Sequence, residues 1–76
     1  MLRIAKVTPK DHYLLEVFLS NGTTVILNMA ARLDSIRFMD LRDKAFFDTV
    51  STDGRCVRWG GQIEVPLSEV FHLAQK

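Results

Sequence analysis

The pair Asn21-Gly22, set between two apolar runs, is the feature that most constrains how this chain can fold. The runs cover residues 13–19 and 23–27. A type I′ turn needs positive φ at both central residues, which Asn tolerates and Gly adopts freely. The pair therefore predicts a β-hairpin closed by a two-residue turn.

A two-residue turn would also set the register of the hairpin, placing Phe18 opposite Val25 and Val17 opposite Ile26. Side chains alternate between faces along a strand. One face would then carry Tyr13, Leu15, Val17, Leu19 and Ile26, and the other Leu14, Glu16, Phe18, Val25, Leu27 and Met29. Neither face is polar, so we expect helices to cover one face and more sheet or a second copy of the chain to cover the other.

The chain has 76 residues and is expected to form one domain over residues 1–76. A domain of this size buries only about 60% of its unfolded surface and is marginally stable alone. Cys56 is the single cysteine, which excludes an internal disulfide and a zinc site built on paired cysteines and suits a reducing cytoplasm. Association would add stability, so we predict that the chain binds itself, as a homodimer or higher oligomer, or another small protein.

Charge is balanced, with ten Lys plus Arg against nine Asp plus Glu. A nucleic-acid-binding protein usually shows a basic surplus or a clustered basic stripe, so nucleic acid is an unfavoured partner. No run reaches the 18 apolar residues of a membrane span, and the first residues do not have the pattern of a signal peptide. These features predict a soluble, cytoplasmic chain with no membrane partner.

Helical segments are predicted between the first hairpin and the rest of the chain. Residues 2–7 alternate as a first strand, which Pro9 should end because proline lacks the N–H that a ladder needs. Asn28 could cap a short helical turn over residues 30–32, and Asp43 could cap a second piece. An apolar stripe at helical spacing is expected to face the core: Phe38, Leu41, Ala45 and Phe46.

Asp53-Gly54 predicts a second hairpin, between strands over residues 47–52 and 55–59. Its register would place Val50 opposite Val57, both facing the core, and Thr49 opposite Arg58, both facing out. Residues 63–65 are a short extended piece, and Pro66 suits the start of a closing helix whose buried face would carry Leu67, Val70, Phe71 and Ala74. The predicted fold class is α+β, with a small antiparallel sheet of about five strands (β-β-β-α-β-β-α) and short helices covering one face.

No residue set carries an evident chemistry, and we predict no catalytic, cofactor-binding or metal-ligating residues and no enzyme activity. His12 and His72 lack the spacing of metal ligands, and Cys56 has no neighbouring cue for thiolate activation. Trp59 is followed by Gly60-Gly61, and an aromatic residue beside such a loop is either a core residue or an interface anchor. The possible partner surface is a strip around Arg58, Trp59 and Gln62.

Residues across the chain resemble the small bacterial domain-of-unknown-function family numbered twenty-four forty-two. The matching residues are Phe38, Leu41, Asp43 and Phe47 in the middle segment, then Trp59, Gly61 and Pro66. Asn28 stands where the family tends to have Asp, and the loop after Trp59 is one residue shorter. The resemblance implies an α+β fold of a small antiparallel sheet with short helices, and it implies no enzyme activity. Some members occur beside another small protein in pairs that look like toxin–antitoxin modules.

Two functions from different classes follow. The favoured one is a non-catalytic protein-interaction or regulatory module, including membership of a toxin–antitoxin-like pair. The alternative is a regulator that binds nucleic acid directly through Arg3, Arg55 and Arg58, and the balanced charge argues against it.

Overall fold

The structure is a computed structural model that describes residues 2–75, with side chains described through residue 74. It contains six strands, two α-helices and short 3₁₀ segments. The strands are β1 (Ile4–Lys10), β2 (Leu14–Leu19), β3 (Thr24–Asn28), β4 (Ser51–Thr52), β5 (Cys56–Trp59) and β6 (Ile63–Pro66); the α-helices are α1 (Lys44–Phe47) and α2 (Leu67–Gln75); the 3₁₀ segments are Asp11–Tyr13, Met29–Arg32 and Met39–Arg42.

The strands form two antiparallel sheets of three strands each, which we call the first sheet (β1-β2-β3) and the second sheet (β4-β5-β6). The α+β class and the meander order of the first three strands are confirmed, but the single sheet of about five strands is wrong. The extended piece before Pro66 folds back on β5, with Trp59 opposite Ile63. At the boundary between the sheets, the Ile4 N–H donates to the Gly54 carbonyl at 2.9 Å, and no ladder continues across it.

The register of the first hairpin differs by one residue from the prediction. Val17 lies opposite Val25, because the turn has three residues, 20–22, rather than two. The Leu19 N–H donates to the Thr23 carbonyl at 2.8 Å, and Gly22 alone in the turn has positive φ, at +88°. The Asn21 side chain instead accepts from the Thr23 N–H at 3.0 Å, so Asn21 acts as a hydrogen-bond acceptor and leaves the left-handed position to glycine.

A slip of one residue moves the whole of a strand's side-chain set to the opposite face. In the observed register, the buried apolar side chains of β2 and β3 lie on the same face of the sheet. The predicted assignment of the β3 residues to the two faces is therefore wrong. Buried residues of this inner face are Leu15, Val17, Leu19 and Leu27, joined by Ile4 of β1.

Strand β1 also departs from the prediction, because it continues through Pro9 to Lys10. It is an outer strand of the first sheet, where the missing N–H of a proline is tolerated. The register shifts between Ile4 and Lys6, so Ala5 is an extra residue and the predicted alternation over residues 2–7 fails there.

The turn from β1 to β2 holds two left-handed residues that are not glycine, His12 with φ 64° and Tyr13 with φ 60°. Tyr13 is fixed by contacts far away in sequence. Its ring lies edge-on against Phe47 with centroids 5.2 Å apart, and its hydroxyl donates to the Arg42 carbonyl. These contacts hold a backbone conformation that costs about 1–2 kcal/mol per residue.

The two predicted side-chain caps of the helical middle segment are confirmed. Asn28 Oδ1 accepts from the Ala30 N–H at 3.1 Å, and Asp43 Oδ1 accepts from the Ala45 N–H at 3.1 Å. The apolar stripe is confirmed in part: Phe38 and Leu41 are buried, Phe46 is half-buried and Ala45 is exposed. Phe47 is not a strand residue, since it ends α1 with its side chain fully buried.

The second hairpin has a register two residues away from the predicted one, with Thr52 opposite Val57. Asp53 Oδ1 accepts from the N–H groups of Arg55 and Cys56 at 2.9 and 3.0 Å, and these bonds widen the turn beyond Asp53-Gly54. A shift of two residues preserves the alternation. Val57 is therefore buried and Arg58 faces outward, as predicted.

Helix α2 joins the two sheets, since it contacts β3 of the first and β6 of the second. Val70 is buried, with Leu67 and Leu73 half-buried beside it, whereas Phe71 and Ala74 are exposed, so the predicted buried face is only partly right. Within residues 2–75, neither helix has the length and apolar character that crossing a membrane would require.

Candidate interaction surface

Trp59, the central residue of the predicted partner strip, lies in the core. Its side chain is fully buried, its ring stacks on Phe47 with centroids 5.9 Å apart, and its Nε1–H donates to the Phe47 carbonyl at 2.9 Å. The alternation of side chains along a strand predicts this burial, because Val57 is expected in the core and a period of two residues places Trp59 on the same face. The indole cannot contact a partner while the protein is folded this way.

Arg58 lies on the side of the second sheet that faces away from the core, in a cross-strand row with Ser51 and Glu64. Its Nη2 lies 2.8 Å from Glu64 Oε2, and its Nη1 lies 3.5 Å from Asp53 Oδ2. The pKa of Asp53 is below its usual value, first because of the N–H bonds from Arg55 and Cys56, and in smaller part because of the Arg58 charge. The positive charge of Arg58 is therefore already paired with carboxylates of the same chain.

Gln62 lies in the β5–β6 turn and lines a surface cleft of about 280 Å³ with Asp40, Asp43 and Phe46. Arg58 does not line this cleft. The three residues of the predicted strip thus lie in different settings: one in the core, one in an ion-paired sheet face and one at an acidic cleft. What remains exposed of the strip is polar.

The three arginines of the nucleic-acid alternative are brought near one another only in part. The Ile4 N–H bond to the Gly54 carbonyl brings the segments that carry Arg3 and Arg55 together, and both residues are exposed. Arg58 is paired with two carboxylates. Arg3 and Arg55, which form no ion pair within residues 2–75, supply little of the phosphate neutralisation on which nucleic-acid affinity depends.

A larger open surface lies on the side of the first sheet that faces away from the core. Three cross-strand rows form it: Lys6, Phe18 and Thr24; then Thr8, Glu16 and Ile26; then Lys10, Leu14 and Asn28. We call this set the outer face. Phe18 is 43% exposed and Ile26 is 50% exposed, which is unusual for side chains of their size in adjacent positions on one sheet.

The outer face carries a shallow depression of about 360 Å³, lined by Lys6, Thr8, Glu16, Phe18 and Thr24. A second cleft, of about 210 Å³, lies between Ile26 of β3 and the end of α2, where Leu73 and Ala74 line it. Arg32 also lines this cleft, and its Nη2 donates to the Leu73 carbonyl at 3.1 Å.

Charges on the outer face are not paired with one another. Within residues 2–75, Lys6, Lys10 and Glu16 form no ion pair, whereas the second sheet, the middle segment and α2 together hold five ion-pair contacts. Among the same residues, no three His, Cys, Asp or Glu side chains come together as metal ligands do, and every buried side-chain nitrogen or oxygen has a hydrogen-bond partner.

No family model matches the chain, and comparison with curated proteins and with solved structures also gives no match. The resemblance to the family numbered twenty-four forty-two therefore remains a hypothesis from the residues.

Proposed function

We propose that this chain is a non-catalytic protein-interaction module that binds another protein chain through the outer face. The observation that carries the proposal is the adjacent exposure of Phe18 and Ile26 beside Lys6 and Glu16, which form no ion pair among residues 2–75. An exposed apolar centre with a charged border is the composition of a protein interface. A nucleic-acid site would need cations, and this face carries two lysines against one glutamate.

The resemblance supports the same proposal from another direction, because some members of that family are encoded beside another small protein in pairs that look like toxin–antitoxin modules. A regulatory or antitoxin-like role, in which binding blocks or stabilises the partner, is the form of the function that the resemblance favours. Direct binding of nucleic acid is the weaker candidate, since Arg58 is already engaged by Asp53 and Glu64.

The test is affinity capture with Phe18→Asp and a matched control, Ile36→Asp. Ile36 is 89% exposed on the loop before the Met39–Arg42 turn, outside the outer face. Tagged wild-type chain and Ile36→Asp should retain a stoichiometric, identifiable protein, which includes an untagged copy expressed alongside. Phe18→Asp should lose it while keeping its circular dichroism spectrum, because it buries a carboxylate at the centre of the interface.

Two results would count against the proposal. One is retention of no protein by the wild-type chain, with or without an untagged copy. The other is equal retention by wild type and Phe18→Asp, which would place binding on a different surface.

A further inference from the structure

We infer that the occupant of the outer face is a second copy of this chain, docked face to face about a two-fold axis through Lys6–Glu16 pairs. This inference rests on the proposed function and names its partner. It is carried by the distribution of charge and apolar surface over the first sheet, which is self-complementary.

The geometry of the rows gives the self-complementarity. Lys6 lies directly across from Phe18, and Glu16 lies two residues before Phe18 on β2, so one cation and one anion flank the same aromatic ring. In a two-fold contact, a patch meets its own copy, and residue i contacts j while j contacts i. A two-fold axis that lies midway between the two stacked sheets, parallel to them and at right angles to the Lys6–Glu16 line, therefore brings each of these residues onto its opposite in the other copy.

Phe18 agrees with that axis. It lies one strand away from Lys6 and two residues away from Glu16, so it is close to the axis and meets its own copy between the two charged pairs, with Ile26 farther out. Lys10 lies in the third row, beside the β1–β2 turn, and would be at the rim. The two sheets would stack about 10 Å apart, as the sheets of a sandwich do.

The size of the face sets the expected strength. Three strands about 4.8 Å apart, each about 20 Å long, give a contact on the order of 300 Å² per copy in the plane of the sheet. Stable complexes bury about 800 Å² per partner. The dimer should therefore be reversible and visible only across a wide concentration range, from about 1 μM to about 1 mM.

The experiment is sedimentation equilibrium over that range on wild type, Lys6→Glu, Glu16→Lys and an equimolar mixture of the two variants. Each reversal places like charges together at both pairs and should weaken the homodimer about tenfold or more. The mixture joins an acidic face to a basic one and should form a heterodimer at least as tight as wild type. An electrostatic effect confined to one chain cannot produce this recovery on mixing.

Matched controls carry the same change of charge elsewhere. Lys10→Glu, on the same strand at the rim, and Asp40→Lys, in the Met39–Arg42 turn, should each change the dissociation constant less than about threefold. A wild-type chain that stays monomeric up to about 1 mM, or a dimer that neither reversal weakens, would overturn the second-copy inference. A mixture that fails to recover would overturn it too.

Failure here can be told apart from failure of the proposed function. If the chain is monomeric yet retains a different protein that Phe18→Asp releases, the proposed function holds and only the identity of the partner changes. If the chain neither dimerises nor retains any protein, both proposals fall.

Discussion

The two sheets share a pattern of three antiparallel strands in meander order, yet their outward sides have opposite chemistry. The central strand of the first sheet presents Phe18, which is 43% exposed, beside charges that form no ion pair within residues 2–75. At the corresponding place, the central strand of the second sheet presents Arg58, held by Asp53 and Glu64. The second sheet thus pairs its outward charge within the chain, whereas the first sheet exposes apolar side chains to water.

The inward sides, in contrast, are alike. Both supply fully buried aliphatic residues to one shared core, Val17 from the first sheet and Val57 from the second, with α2 packed across β3 and β6. The core of this chain therefore does not require the residues of the outer face. Under the proposed function, the exposed apolar side chains of that face bind a partner.

The largest expected effect separates the two sides of β3. Leu27→Ala should lower the free energy of unfolding by about 2–5 kcal/mol, because it opens a cavity where the side chain is 2% exposed. Ile26→Ala, at a half-exposed neighbour, should cost less than about 1 kcal/mol. Urea unfolding at low protein concentration, followed by circular dichroism, measures both. The reverse order would mean that the two-residue turn and its register are correct.

The next effect compares the turns of the two sheets. Gly22→Ala should cost about 1 kcal/mol although nothing lies within 4 Å of the added methyl group, because Gly22 has φ +88°. Gly61→Ala, in the β5–β6 turn, also meets open space and has no positive φ. It should be neutral, or stabilising by up to about 1 kcal/mol through the unfolded state. Equal costs at the two positions in the same urea assay would contradict the positive φ of Gly22.

The turns and the strand registers differ in how far local sequence could predict them. Turn positions, both side-chain caps and the α+β class were accessible because Asn, Asp, Gly and Pro act through their own backbone. Register was not, because it depends on whether Asn21 and Asp53 adopt positive φ or accept hydrogen bonds from the residues that follow them. At Asn21 the slip was one residue and reversed a face; at Asp53 it was two and left the faces intact.

Long-range pairing was the other limit. The return of β6 onto β5 and the burial of Trp59 against Phe47 join residues whose local patterns suit a loop or a strand equally well. The candidate surface was accessible only as the expectation that the first hairpin needs cover on its second side. The residues of this surface depend on the register, and the predicted two-residue turn assigns Phe18 and Ile26 to opposite faces.

Acid should weaken the ion pair that joins Arg37 of the middle segment to Glu69 of α2. The two terminal nitrogens of the Arg37 guanidinium, Nη1 and Nη2, donate to the Glu69 carboxylate, and Nη2 also donates to the Glu64 carbonyl at 2.7 Å. The hydrogen bond from Arg37 is the main cause that lowers the pKa of Glu69, and Glu69 in turn raises the pKa of Arg37. A lowered carboxyl pKa stabilises the fold above the unfolded value of about 4.3, and this stabilisation is lost as pH falls through the folded pKa.

Glu69→Gln should therefore cost about 1 kcal/mol at pH 7 and almost nothing once the pH is below the folded pKa of Glu69. Urea unfolding of both proteins between pH 7 and pH 2 measures the difference. Glu16→Gln, on the outer face with no ion pair among residues 2–75, is the matched control for the change of side chain and should alter the free energy of unfolding of the monomer at pH 7 by less than about 0.5 kcal/mol. A Glu69→Gln cost that persists at the lowest pH would assign the effect to packing.

The smallest effect tests whether Arg58 and Glu64 are coupled at all. Both side chains are partly exposed, at 38% and 50%, so a double-mutant cycle of Arg58→Met and Glu64→Gln should give a coupling of about 0.2–1 kcal/mol. Methionine keeps an apolar stem of similar length and removes only the charge. Because water screens exposed charges, the coupling should shrink towards zero at about 1 M salt, where the Debye length is about 3 Å. A coupling that survives high salt would mean that the pair is structural. The polar outer side of the second sheet would then contribute to the stability of the fold, as the apolar inner side of the first sheet does through the core.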